Sequence, residues 1–271
     1  MPDVIFTGPE GRLEGRYHHV KNDHAPLALI LHPHPQHGGT MNNKVVYTLY
    51  HMFARRGFST LRFNFRGVGR SQGTFDRGEG ELSDAAAALD WMQQHNPDAP
   101  YAWVAGFSFG SWIAMQLLMR RPEIAGFISV APPANMYDFS FLAPCPSSGL
   151  MVVGSEDSLV SADSVEVLAK RLSQDKNISV DHHIVEAADH FFTGRRDLLV
   201  EVVDQYLDTM LASMPKIPDF SKPGSPPPLL EDKAAAEKAE KASKTAKASG
   251  GENDNLTGKR PQKNLETADN A

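Results

Sequence analysis

The chain has 271 residues, a formal net charge of −6 at pH 7 and a pI near 6.0. A weakly acidic balance argues against nucleic acid or an anionic membrane surface as a partner, since both attract basic proteins. Its one cysteine, Cys145, excludes an internal disulfide. The amino terminus lacks a basic segment with a long apolar stretch, and no apolar run approaches the roughly 20 residues of a membrane span. We therefore expect a cytoplasmic protein, and the sequence does not indicate its oligomeric state.

The first third of the chain predicts alternating strands and helices. Residues 4–6 and 12–18 read as two early antiparallel strands joined by a Gly-Pro turn. The continuous apolar run 27–31 is typical of a buried parallel strand. Residues 43–56 carry apolar side chains at helical spacing and end at Gly57, which is a helix-stop signal.

The same alternation continues along the chain. The remaining predicted strands are 59–65, 101–105, 125–130, 150–154 and 178–185, and the remaining predicted helices are 81–94, 112–119, 161–172 and 195–211. Alternation of this kind is typical of a mostly parallel sheet with helices on both faces, here of eight strands. The inward face of the helix at 81–94 is predicted to carry Leu82, Ala85, Ala86, Leu89, Trp91 and Met92.

Two segments outside these elements bear on the organisation of the chain. The connection 131–149 is too short for a separate lid domain, and its aromatic residues Tyr137, Phe139 and Phe141 either line an apolar pocket or pack on the core. From 214 to 271 the chain is rich first in proline and then in Ala, Lys and Glu without an apolar face. We therefore predict one domain over 1–213 and a disordered or transiently helical tail over 214–271.

The most informative motif is Gly-Phe-Ser-Phe-Gly at residues 106–110. It lies between a predicted strand and a predicted helix, so Ser108 is expected on a sharp turn with its hydroxyl turned outward. The alternative is a Gly/Ser connection without chemistry. A serine hydroxyl is a weak nucleophile, and it needs a base that is itself oriented by an acid.

The chain supplies both groups just past later strand ends. His190 follows the last predicted strand, whereas His182 and His183 lie within that strand and are interpreted as structural or surface residues. Asp157 follows the strand at 150–154 and is the predicted acid, with Glu156 and Asp163 as alternatives. The carboxyl ends of parallel strands share one edge of a sheet, so Ser108, Asp157 and His190 can meet there.

Over about residues 3–213, these motifs resemble those of the α/β-hydrolase superfamily. Nucleophile, acid and histidine follow in that family's chain order, and the Gly-x-x-Asp spacing to Asp157 matches it. The His-Pro-His-Pro segment at 32–35, leading into Gly-Gly-Thr-Met at 38–41, is similar to a group of small bacterial members known only as hydrolases. The resemblance implies the fold and the reaction class, and it implies no substrate.

An oxyanion hole needs two backbone N–H groups. Phe109, the residue after the nucleophile, is expected to supply one. Pro33 and Pro35 have no N–H, so the loop after the third strand leaves Gln36, which we favour slightly, or His34. The loop departs here from the His-Gly pattern usual in the family.

Several other residues have both a chemical and a structural interpretation. The histidines at 32, 34 and 37 invite a metal site, but a stiff oxyanion loop is the simpler interpretation, and we predict neither a metal nor a cofactor. Arg66 and Arg70 either bind an anionic substrate or brace the loop after the fourth strand. Phe107 and Phe109 either contact an apolar acyl group or pack behind the turn.

The sequence therefore predicts a serine hydrolase that cleaves a carboxylic ester, or next a thioester, of a small molecule through an acyl-serine intermediate. The enzymatic alternative is an amide or peptide hydrolase, whose amine leaving group must be protonated. A catalytically silent binding protein on the same scaffold is the alternative from another class, because a fold alone does not establish activity.

Overall fold

The fold is built on an eight-stranded sheet. A computed structural model of the chain describes residues 3–142, 144–174 and 177–213, and the predicted tail at 214–271 lies outside these residues. The strands are β1 (Asp3–Gly8), β2 (Gly11–His18), β3 (Leu27–Leu31), β4 (Ser59–Phe63), β5 (Ala102–Phe107), β6 (Ile124–Val130), β7 (Gly149–Gly154) and β8 (Val180–Val185). The α-helices within the described residues are α1 (Lys44–Ala54), α2 (Glu79–His95), α3 (Phe109–Leu118), α4 (Ala162–Leu172) and α5 (Arg196–Ser213).

The strand order is β1-β2-β4-β3-β5-β6-β7-β8. Strands β3 to β8 are parallel to one another, whereas β1 pairs with β2, and β2 with β4, in antiparallel fashion. Helix α1 packs against α5, and α2 packs against α3. This architecture confirms the predicted mostly parallel sheet with helices on both faces. The register pairs Phe107 with Val130 and Gly154 with Val185, so these strands end at the same edge.

Burial follows the position of each strand in the sheet. Every residue of β3, β4, β5 and β7 is buried, as expected for strands covered by helices on both faces. The edge strand β8 buries only Val180 and Val185 at its two ends. Each fully buried Leu, Ile or Phe contributes roughly 1.5–3 kcal/mol of transfer free energy, so the central strands and the helices that pack on them share the stabilisation of the core. Within the described part of the chain, no helix combines the length and apolar character that crossing a bilayer requires.

The buried face of helix α2 differs from the face predicted to point inward. Leu82, Ala86 and Trp91 are only partly buried, although Ala85, Leu89 and Met92 are buried as predicted. The helix also buries two carboxylates, Glu81 and Asp84. Polar partners make this possible, because the two carboxylate oxygens of Glu81 accept the backbone N–H groups of Asp76 and Gly78 and so satisfy the start of the helix.

Candidate active site

Ser108 lies on the turn between β5 and α3, with φ 54° and ψ −122°. A non-glycine residue in such a sparsely populated conformation costs about 1–3 kcal/mol and persists only where its surroundings enforce it. Two hydrogen bonds do so here. The Ser108 N–H donates to Val130 O over 2.8 Å, and Ser111 Oγ donates to Ser108 O over 2.6 Å. The turn therefore holds the hydroxyl at the carboxyl edge of the sheet.

The two glycines of the motif allow the backbone to pack closely around this serine. A Cβ on Gly110 would lie 2.5 Å from the carbonyl oxygens of Leu31 and His32. A Cβ on Gly106 would lie 2.3 Å from Gly110 O. Only glycine fits at both positions, so the motif brings the first turn of α3 directly against the end of β3.

The structure brings together the three side chains predicted from the sequence. His190 Nε2 lies 3.1 Å from Ser108 Oγ, and His190 Nδ1 lies 2.7 Å from Asp157 Oδ2. The Asp157 side chain is 0% exposed and that of His190 is 6% exposed. The alternative acids, Glu156 and Asp163, are exposed, and neither forms an ion pair with His190 among the described residues. This arrangement can transfer the serine proton to the imidazole.

Backbone contacts hold the Asp157 carboxylate in place. Its second oxygen, Oδ1, accepts the N–H groups of Leu159 and Val160 over 2.9 and 2.8 Å. The Glu156 N–H donates to Ala188 O over 3.0 Å and so ties the loop after β7 to the loop after β8. The acid and the histidine are thus positioned by two loops that brace each other.

The loop that carries His190 has its own internal support. Asp189 Oδ1 accepts the N–H groups of Phe191 and Thr193, and the Thr193 N–H is the main reason that the pKa of Asp189 lies below its ordinary value. Ala187 and Phe192 adopt positive φ angles of 51° and 53°. Asp189 therefore shapes the loop and leaves the His190 ring to Asp157.

His32, at the end of β3, has both ring nitrogens engaged. Nε2 accepts the Phe65 N–H over 3.0 Å, which leaves the proton on Nδ1 to be donated to Pro33 O over 2.6 Å. Burial lowers the pKa of His32 to about 4, so the ring is neutral. The rings of His34 and His37 stack on each other at 4.4 Å between centroids. Within residues 3–142, 144–174 and 177–213, no group of three potential ligand side chains is placed to hold a metal ion.

The two predicted candidates for the second oxyanion donor differ in their present contacts. The Gln36 N–H donates to the Nδ1 of His34 over 3.2 Å, within a single 3-10 turn at Pro35–His37. An oxyanion would have to displace this bond. The His34 N–H has no hydrogen-bond acceptor among the described residues. The centroid of the His34 ring lies 5.0 Å from that of the Phe109 ring.

Arg66 and Arg70 brace the loop after β4, in agreement with one of their two predicted roles. Arg66 donates through Nε and Nη2 to both oxygens of Asp84 over 3.0 and 2.8 Å, and this hydrogen bonding raises the pKa of Arg66. Asp84 is fully buried on α2. Arg70 donates through Nε to Glu14 Oε2 over 2.7 Å, so β2 holds the same loop from the other side.

An aromatic wall stands beside the turn. Phe107 and Phe109 are almost fully buried and pack behind Ser108. The partly buried rings of Phe75, Trp112 and Tyr137 surround Phe109, and Trp112 and Tyr137 lie 4.5 Å apart. The sequence leaves open whether Tyr137 lines a pocket or packs on the core, and it gives no signal for Phe75 or Trp112, which join the wall only through tertiary contacts. Phe139, in contrast, belongs to the core.

Comparison with known proteins places this geometry in a family. A sequence profile described as alpha/beta hydrolase fold matches residues 36–148. An uncharacterised protein of Rickettsia prowazekii is 54% identical over 214 residues, which cover 78% of this chain and 90% of that protein. A crystal structure of a putative alpha/beta hydrolase of unknown function from Agrobacterium tumefaciens is 57% identical, with a TM-score of 0.77, over 80% of this chain and 100% of its own.

This chain belongs to the α/β-hydrolase superfamily. An alpha-beta serine hydrolase homologue from Coxiella burnetii is also similar, at 39% identity and a TM-score of 0.70 over 76% of this chain and 97% of its own. The resemblance seen in the sequence is confirmed at the level of the superfamily. As an α/β hydrolase, the protein places the strained serine, the imidazole and the buried carboxylate at the carboxyl edge of its sheet.

Proposed function

We propose that this α/β hydrolase is a serine hydrolase that cleaves a carboxylic ester of a small molecule, with a thioester as the next substrate class. The observation that carries the proposal is the hydrogen-bonded series from Ser108 Oγ through His190 to Asp157, with its links of 3.1 and 2.7 Å. Such a series activates a hydroxyl for attack on a carbonyl carbon. The description of the Coxiella burnetii relative as a serine hydrolase homologue supports it.

In the proposed first step, Ser108 Oγ attacks the ester carbonyl carbon while His190 Nε2 takes its proton. The carbonyl π electrons move onto oxygen, and Asp157 stabilises the resulting imidazolium. The tetrahedral intermediate collapses by expelling the alcohol, to which His190 returns the proton. Water then attacks the acyl-serine in the same way and releases the carboxylic acid and the free enzyme.

The developing oxyanion is assigned to the N–H groups of Phe109 and His34. Phe109 follows the nucleophile at the start of α3, where its N–H has no partner within the helix. His34 is favoured over Gln36 because the Gln36 N–H is already directed at the His34 ring. Two preorganised donors of this kind are worth several kcal/mol of transition-state stabilisation.

The aromatic wall supports an apolar acyl group. Trp112 and Tyr137 present partly buried rings next to Phe109, and Trp112 Nε1 is held by Asp138 O over 3.0 Å. The proposed substrate therefore places a short aliphatic or aromatic acyl chain against these rings. An amide or peptide bond remains the alternative bond type.

A fluorophosphonate probe tests the proposal directly. Wild-type protein should be labelled at Ser108, and Ser108→Ala should be neither labelled nor active on short 4-nitrophenyl esters. Ser83→Ala, an exposed serine on α2, is the matched control and should behave like wild type. Equal labelling of wild type and Ser108→Ala would contradict the nucleophile, and an unlabelled, inactive wild type would favour the silent binding protein. Matched ester, thioester and anilide substrates of one acyl chain distinguish the bond type.

A further inference from the structure

A groove of about 390 Å³ opens beside His190, between the loop after β3 and the loop after β8. It is lined by Gly38, Thr40, Asn42, Asn43, Lys44, Phe191, Thr193, Gly194 and Arg196. Phe191 connects it to the proposed catalytic series, since its ring lies 5.2 Å from that of His190. The groove thus adjoins the site from the side of the imidazole.

Two cations, Lys44 and Arg196, line this groove. Neither Lys44 nor Arg196 has an ion pair within 4.0 Å among the described residues, and no Asp or Glu is among the residues that line the groove. Both are also the first residues of helices, α1 and α5, where the helix dipole disfavours positive charge. Their position therefore does not serve the stability of either helix.

The residues around the cations add hydrogen-bond donors and positive charge. Asn42 Oδ1 accepts from Arg62 Nη1 over 2.8 Å, and Asn43 Oδ1 accepts the Val45 N–H over 2.9 Å, so each amide oxygen is occupied, and neither amide NH₂ has a hydrogen-bond acceptor among the described residues. Arg62 is itself buried behind the groove, 5.2 Å from the ring of Tyr47, and the described residues contain no carboxylate paired with it. Lys44 and Arg196 in the groove and Arg62 behind it therefore bring three positive charges together.

We propose that this groove binds an anionic group, a carboxylate or a phosphate, on the leaving-group portion of the substrate, with Arg196 and Lys44 as the recognising side chains. The inference rests on the proposed ester hydrolysis. His190 must return its proton to the leaving oxygen, so that oxygen lies next to Nε2. The residues immediately after His190 line the groove, which places the rest of the alcohol there. A guanidinium matches the two oxygens of either anion.

Three esters that share one acyl group and differ only in their alcohol test the proposal. These are 1-butyrylglycerol, 1-butyrylglycerol 3-phosphate and the butyryl ester of glycerate at its primary hydroxyl, each assayed on the full chain by titration of the acid released. Wild type should prefer one or both anionic esters over the neutral one in kcat/KM, and high salt should reduce that preference. The two anionic esters decide between phosphate and carboxylate.

Variants connect the preference to the groove. Arg196→Gln and Lys44→Gln should each reduce the ratio of anionic to neutral kcat/KM by about tenfold or more, chiefly through KM. Arg195→Gln, the neighbouring exposed arginine outside the groove, is the matched control and should keep the wild-type ratio. Equal hydrolysis of the three esters by wild type, or an unchanged ratio in Arg196→Gln, would overturn the groove assignment and leave the esterase proposal intact.

A binding measurement separates failure of the groove from failure of the chemistry. If none of the three esters is cleaved, the proposed function fails for this substrate class, and the groove is tested by calorimetric titration of Ser108→Ala with glycerol 3-phosphate and with glycerate. Binding that Arg196→Gln weakens and Arg195→Gln does not would support the groove. Absence of binding to both anions would overturn it.

Discussion

Acidification should destabilise this protein through His32 more than through its surface histidines. The buried ring donates to Pro33 O and accepts the Phe65 N–H, and the second bond requires the neutral form because a protonated Nε2 cannot accept. Because burial lowers the pKa of His32 to about 4, the unfolded chain binds a proton there before the folded protein does. The contribution of His32 is therefore fully present above about pH 6.5 and is lost as the pH falls towards 4.

The two pKa values set the size of the effect. With an ordinary imidazole pKa of about 6.5 in the unfolded chain and about 4 in the folded protein, linkage predicts a loss of about 2 kcal/mol between pH 7.5 and pH 5. The loss should level off at about 3 kcal/mol below pH 4. That is a large part of the 5–15 kcal/mol by which a typical domain is stable.

Urea unfolding followed by tryptophan fluorescence measures this loss. His32→Gln removes the titrating group while keeping an acceptor for the Phe65 N–H, so it should start about 1 kcal/mol less stable than wild type and lose about 2 kcal/mol less on acidification. His183→Gln, on the exposed face of β8, is the matched control and should keep the wild-type pH dependence. Parallel pH profiles for wild type and His32→Gln would refute the reasoning.

The remaining predictions concern the acid Asp157, the turn around Ser108 and the ion pair between Arg66 and Asp84. Asp157→Asn should lower kcat on an ester by about 10³- to 10⁴-fold because a neutral amide cannot stabilise the positive charge of the imidazolium. Asp163→Asn should keep a kcat near that of wild type. The reverse order of the two effects would disprove the choice of acid. Gly110→Ala should lose about 3 kcal/mol or more in urea titrations, since its methyl group would lie 2.5 Å from two carbonyl oxygens; an unchanged midpoint would show that α3 can shift. Asp84→Asn should cost about 3 kcal/mol by leaving buried Arg66 without its carboxylate, which thermal unfolding can measure against wild type.

The turn at Ser108 could be predicted from the sequence because its signal is local. An apolar strand, two glycines around a serine and a helix-forming run are contiguous, and the structure has the same order from β5 to α3. The choice among carboxylates was harder. Glu156, Asp157 and Asp163 lie within one short segment, and only the folded loops show which of them lies within 2.7 Å of His190 Nδ1.

Contacts between distant segments could not be predicted in the same way. The pairing of Asp84 on α2 with Arg66 after β4 is of this kind, because helical periodicity contains no information on it. His32 shares its loop with His34 and His37, and only the fold shows that its Nε2 accepts the Phe65 N–H. The groove depends on Lys44 and Arg196, which come from opposite ends of the domain and share no motif.

The backbone angles of Ser108 also imply a trade-off between stability and activity. The fold holds this residue at φ 54°, a backbone conformation that serine disfavours, at a conformational cost of about 1–3 kcal/mol. Glycine at the same position would relax that strain, so the inactive Ser108→Gly protein should be at least as stable as wild type. Selection for a serine here therefore works against selection for stability. The surrounding core supplies the stabilisation that offsets the strain of the turn. Substitutions that erode this core reduce the margin that lets the turn persist.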